Sequence, residues 1–142
     1  MKELHGTASA DVAACAADAY ALLIDVEGYP RWYPNVVREA RATSPERARA
    51  KLHVAYGPLT RDFDLTLAVA GTPPTEVRLT RIRHDADDPE RFEVTWTISD
   101  GTISVALDAD LSVPRLVPVG GIGDAMASGF VEAAARALSR SR

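Results

Sequence analysis

The sequence predicts an α+β fold, with a curved antiparallel sheet of six to seven strands wrapped around a long C-terminal helix and two short helices after the first strand. Three observations support this prediction. Apolar residues recur with a period of two through residues 36–111. Short turns rich in Gly, Pro and Asp separate these segments, which favours antiparallel pairing. The period then becomes helical over about residues 124–140.

Size and composition fit one globular domain over residues 1–142. Apolar residues make up 46% of the chain and charged residues 25%, and the net charge is −4. No apolar stretch is long enough to span a membrane, and no basic block could follow a nucleic-acid backbone, so we expect neither partner. The lone Cys15 cannot form an intramolecular disulfide, and we interpret it as a buried structural thiol of a cytoplasmic protein.

The N-terminal part of the chain predicts a loosely alternating strand over residues 4–12 and a helix over residues 17–26, where apolar side chains recur at helical spacing. A corner follows at residues 25–34, where Pro30 and Pro34 each restrict the backbone before them. We expect a second short helical turn at this corner. It contains three aromatic residues, Tyr29, Trp32 and Tyr33.

Six further segments alternate between apolar and polar residues and predict the remaining strands. Gly57-Pro58, residues 71–74 and Asp100-Gly101 predict turns between them. The acidic stretch at residues 85–90 reads as a solvated loop. Facing one side of the sheet, we expect a stripe that includes Leu52, Val54, Tyr56, Phe63, Leu65, Leu67, Leu79, Val94 and Trp96.

The C-terminal helix has a face of small residues in which only Met126 and Phe130 are bulky. A helix of this length can cross most of a small sheet. A small-residue face across a curved sheet need not fill the space beneath it, which predicts an internal cavity. The alternative is close packing of the helix backbone on the sheet, with no cavity.

The order of these elements, the corner at residues 25–36 and the ending at residues 113–138 together resemble a known superfamily. The chain is similar to the START-like (SRPBCC) helix-grip proteins, specifically the polyketide cyclase/dehydrase and coenzyme Q-binding branch. Further matches are the strand at residues 63–69 and Trp96. The resemblance implies a deep pocket between sheet and helix that holds a lipid, an isoprenoid quinone or a polyketide.

On this interpretation, the pocket would be lined by the apolar stripe, the aromatic corner, the two bulky residues of the last helix and two arginines. The predicted ligand-binding residues are Tyr29, Trp32, Tyr33, Leu52, Val54, Tyr56, Arg61, Phe63, Leu65, Leu67, Leu79, Arg81, Val94, Trp96, Met126 and Phe130. We expect the three corner aromatics to form a rim that gates one end of the pocket.

Arg61 and Arg81 fall on the inward phase of their strands when the apolar alternation is continued. An inward arginine is costly unless it pairs with a carboxylate or with the polar head of a ligand. In the alternative, the strands twist, Ile82 takes the core position and both arginines extend to solvent.

Catalytic equipment is sparse in this sequence. The three histidines are scattered without metal-ligand spacing, so we expect no metal and no cofactor. Our leading hypothesis is a non-catalytic protein, monomeric or homodimeric, that holds a hydrophobic small molecule. One alternative is a polyketide cyclase or dehydrase that uses Arg61 or Arg81 with Tyr56 as a proton relay. Another is an interaction protein like the ribosome-associated toxins of the same fold.

Overall fold

A computed structural model describes residues 2–56, 59–112 and 121–140. The elements are β1 (Lys2–Asp11), α1 (Ala16–Ile24), a 3-10 turn (Val26–Gly28), α2 (Tyr29–Trp32), β2 (Val37–Ser44), β3 (Arg47–Tyr56), β4 (Leu59–Thr72), β5 (Glu76–Arg81), β6 (Arg91–Ser99), β7 (Thr102–Leu111) and α3 (Ile122–Arg140). The seven strands form one antiparallel sheet in the order β1-β7-β6-β5-β4-β3-β2. This architecture confirms the predicted helix-grip fold.

The register of the sheet places the apolar stripe on one face. Leu52 of β3 pairs with Phe63 of β4, and Trp96 of β6 lies between Val77 of β5 and Val105 of β7. Cross-strand partners point to the same side of a sheet, so these side chains form one surface. All five are between 0% and 7% exposed, whereas the alternate positions carry the charged residues.

Helix α3 lies closest to β1 and β7. The reason is visible at its first turn, where Gly123 faces Gly6 and the backbone of His5. A Cβ atom at either glycine would collide with backbone of the other element, so only glycine permits this approach. Part of the small-residue face therefore brings the helix backbone onto the sheet, which is the close packing that the sequence left as an alternative.

Several details differ from the sequence-based expectations. Strand β4 continues through Gly71 to Thr72 because the Tyr20 side chain packs on that glycine, which has no Cβ in the way. The prediction that Cys15 is buried is wrong, since the residue precedes α1 at an exposed position. The predicted turn at Gly57-Pro58 lies outside the described residues. No helix in the described part of the chain is long and apolar enough to cross a membrane.

Candidate functional site

The inner face of the sheet, together with α2 and α3, gathers the predicted ligand-binding residues into one buried cluster. The side chain of Tyr56 lies outside the part of the chain that the structure describes. The apolar and aromatic members, each at most 7% exposed, are Tyr29, Trp32, Tyr33, Leu52, Val54, Phe63, Leu65, Leu67, Leu79, Val94, Trp96, Met126 and Phe130.

Five aromatic side chains, Tyr29, Trp32, Tyr33, Trp96 and Phe130, form what we call the aromatic cluster. The ring centroids of Tyr29 and Trp32 are 4.6 Å apart, and those of Trp32 and Tyr33 are 6.2 Å apart. Phe130 of α3 contacts both Tyr33, at 4.9 Å, and Trp96, at 6.3 Å, in edge-on arrangements. Tilted and edge-on ring pairs of this kind are favourable beyond their buried area.

The corner aromatics are core residues in this structure rather than an exposed rim, since their exposed fractions are only 2% to 7%. The Tyr29 hydroxyl donates a hydrogen bond of 2.6 Å to the carbonyl of Leu23, which ties α2 to the end of α1. Burial of this phenol raises its pKa well above the ordinary value. Tyr29 is therefore held neutral, and the gating role of the corner stays a prediction.

Arg61 lies on the inner phase of β4, because its cross-strand partner is the buried Val54. Its guanidinium forms a two-point ion pair with Glu90, with Nη1–Oε2 at 2.6 Å and Nη2–Oε1 at 3.0 Å. The Glu90 carboxylate also accepts from the backbone N–H of Ser112. The Arg61 Cζ lies 4.3 Å from the centre of the Phe63 ring, a cation–π contact.

Arg81 is more deeply buried, with only 7% of its side chain exposed. Its Nη2 lies 2.8 Å from the Asp88 carboxylate, and its Nη1 donates to the carbonyl of Glu90. The alternative in which both arginines extend to solvent is wrong for Arg81. Its register partner, Leu67, is buried, so the strand keeps its phase up to this residue.

The loop between β5 and β6 therefore closes over the two arginines, and we call Asp88 and Glu90 with their arginine partners the latch. The expectation of a solvated acidic loop is wrong for these two carboxylates, whose side chains are 12% and 15% exposed. Hydrogen bonds from Arg81 and Arg61 hold the pKa values of Asp88 and Glu90, respectively, below their ordinary values. The arginines thus find internal partners instead of a ligand head group.

Beside the latch, a pocket of about 500 Å³ opens to solvent. We call it the end pocket. Its apolar wall is formed by Phe63 and Leu65, which also belong to the buried cluster. The end pocket therefore connects solvent with the apolar inner face. Leu52, Phe63 and Leu65 keep 3% to 7% exposure, whereas Ile103 and Ala109 on β7, where α3 approaches, have none.

Sequence reasoning found the two arginines but missed Asp88 and Glu90. A usable signal was present, because a buried arginine needs a carboxylate and the acidic loop directly follows the strand that carries Arg81. Within the described ranges, no group of three or more His, Cys, Asp or Glu residues is arranged to hold a metal ion.

Comparison with known proteins was made for both sequence and structure. The model of the family described as "Polyketide cyclase / dehydrase and lipid transport" matches residues 12–139. The sequence has no match among curated proteins. The START-like superfamily predicted from the sequence is thereby confirmed, while the coenzyme Q-binding branch stays a prediction.

Solved structures share the fold at low sequence identity. A conserved protein from Geobacillus kaustophilus aligns over 99% of this chain and 97% of its own, with a TM-score of 0.71 and 12% identity. A START superfamily protein from Mycobacterium smegmatis aligns over 95% and 94%, with a TM-score of 0.65 and 18% identity. The Zhui aromatase/cyclase from Streptomyces sp. R1128 aligns over 98% and 95%, with a TM-score of 0.64 and 14% identity.

Proposed function

The chain belongs to the polyketide cyclase/dehydrase and lipid transport family, and we propose that it binds a hydrophobic small molecule, such as a lipid, an isoprenoid quinone or a polyketide, between the sheet and α3. One observation carries this proposal. The apolar inner face forms a single cluster that runs from the aromatic cluster to the end pocket, where it meets solvent at Phe63 and Leu65. Ligand sites in proteins are typically concave, apolar and furnished with few polar groups.

The energetics favour a neutral, largely apolar ligand. Burial of ligand surface on the inner face contributes about 25 cal/mol per Å². Part of that gain offsets the displacement of side chains that now contact one another. An anionic head group would have to compete with Glu90 for Arg61 and with Asp88 for Arg81. The ligand therefore enters beside the latch, and its apolar part occupies the inner face.

A polyketide cyclase or dehydrase reaction is the second candidate, supported by the fold shared with an aromatase/cyclase. General acid–base catalysis requires a titratable group within reach of the substrate proton. Arg61 and Arg81 are engaged by carboxylates, and the Tyr29 hydroxyl by the Leu23 carbonyl. Binding without turnover is therefore better supported by this site than catalysis.

Probe uptake by a pair of matched variants tests the proposed site. The purified full chain is titrated with the fluorescent probe N-phenyl-1-naphthylamine. Leu65→Trp fills the apolar wall of the end pocket, whereas Thr66→Trp adds the same side chain on the opposite face of β4. We expect the Leu65→Trp variant to lose probe affinity by about tenfold or more, as a loss of ~1.4 kcal/mol implies, and the Thr66→Trp variant to keep it.

Urea unfolding of both variants separates a blocked pocket from an unfolded protein. Native mass spectrometry of the purified chain then reports the mass of any ligand that it carries. Equal probe affinity in the wild type and the Leu65→Trp variant would remove the end pocket from the proposal. A wild-type protein that takes up neither probe nor lipid would refute the binding function.

A further inference from the structure

Two donors buried in the aromatic cluster have no acceptor. The Nε1 atoms of Trp32 and Trp96 are inaccessible to solvent and make no hydrogen bond within the described part of the chain. The two residues are 7% and 0% exposed. An indole N–H can only donate, and a buried donor without an acceptor loses its hydration with nothing in return. Two such donors in one cluster require an explanation.

The groups around these donors do not satisfy them. The Trp96 nitrogen is near enough to the Tyr29 oxygen to act against the rise in that residue's pKa, yet the N–H does not reach hydrogen-bond geometry. The Tyr29 ring packs on Trp32, and its hydroxyl proton goes to the Leu23 carbonyl. The remaining rings of the cluster are hydrocarbon where they make contact, as Phe130 does.

We propose that the two indole N–H groups recognise the carbonyl oxygen of a neutral aromatic ketone or quinone bound within the aromatic cluster. This inference rests on the proposed function and names the ligand class for the same site. The flat rings of such a ligand suit walls made of Tyr29, Trp32 and Phe130, because aromatic faces and edges attract one another. Its carbonyl oxygen supplies the acceptor that the chain lacks here.

Two other ligand classes fit this site less well. A carboxylate would bring a charge into a cluster of five aromatic side chains, and the inner-face cations Arg61 and Arg81 already have carboxylate partners. An alcohol could accept from an indole, but it would also bring a donor of its own that needs an acceptor. A carbonyl group accepts and brings no donor, so it satisfies the indoles without creating a new unpaired group.

The two tryptophans make a direct test possible, because a ¹H–¹⁵N spectrum of the full chain contains only two indole N–H signals. The probe is 9-fluorenone, a flat neutral ketone, and the control is fluorene, which has the same rings without the oxygen. The Trp32→Phe variant assigns the two signals. Affinities for both compounds are measured on the wild type and on the Trp32→Phe and Trp96→Phe variants.

We expect fluorenone to move at least one indole proton downfield, as a new hydrogen bond does, and fluorene to produce no such shift. Removal of the responding indole should weaken fluorenone roughly fivefold and leave fluorene affinity unchanged. Equal affinity for the two compounds without a downfield shift would overturn the inference while the binding function stands. If neither compound binds and the end-pocket probe is also rejected, the proposed function fails as well.

Discussion

The latch offers the most direct test of how this fold closes its open end. Replacing Glu90 with Gln keeps the shape of the side chain but removes its charge. The guanidinium of Arg61, 32% exposed, then faces a neutral amide whose NH₂ group cannot accept a hydrogen bond. The two short contacts at 2.6 and 3.0 Å cannot both survive, so we expect this variant to be less stable than the wild type.

The magnitude lies between two limits. Exposed ion pairs contribute up to about 1 kcal/mol, and removing one partner of a fully buried pair costs about 3–5 kcal/mol. Glu90 is 15% exposed but Arg61 is twice as accessible, which points to about 2 kcal/mol for this pair. With a urea m-value of about 2 kcal/mol per M, the unfolding midpoint should fall by about 1 M.

The assay is urea unfolding followed by tryptophan fluorescence, with Glu76→Gln as the matched control. Glu76 pairs with Arg78 at 3.0 Å, but both side chains are at least 40% exposed, so its loss should cost less than about 0.5 kcal/mol. A Glu90→Gln midpoint no lower than that of Glu76→Gln would refute the reasoning that burial makes the latch a stabilising element.

Two further predictions concern the same framework. The folded-state pKa values of Asp88 and Glu90 are lowered, so their contribution to stability is present above their unfolded values, near about pH 4, and is lost as the pH falls through the folded values. Urea midpoints measured from pH 6 down to pH 3 should decline, and Glu90→Gln should flatten that profile; identical slopes would contradict this. Gly123→Ala places a methyl group against the His5 backbone and should cost about 3 kcal/mol, whereas Ser128→Ala on the exposed face of α3 should change the free energy of unfolding little.

Local patterns carried most of the fold. A strand alternates its faces every residue, so the sequence alone placed Leu52, Phe63 and Trp96 on one buried surface. The same rule placed Arg61 and Arg81 on the inner phase. These predictions need only the period of one segment at a time, and the turn residues then limit how neighbouring segments pair.

The tertiary structure alone decided which groups meet across elements. The pairing of Arg61 with Glu90, 29 residues away, depends on where a loop folds back over the sheet, which no periodicity encodes. The approach of α3 to β1 depends on Gly6 and Gly123 meeting from opposite ends of the chain. The two unpaired indoles became visible only when every neighbour of Trp32 and Trp96 was in place. Side-chain satisfaction is a property of the assembled interior, because each donor is judged against all the groups packed around it.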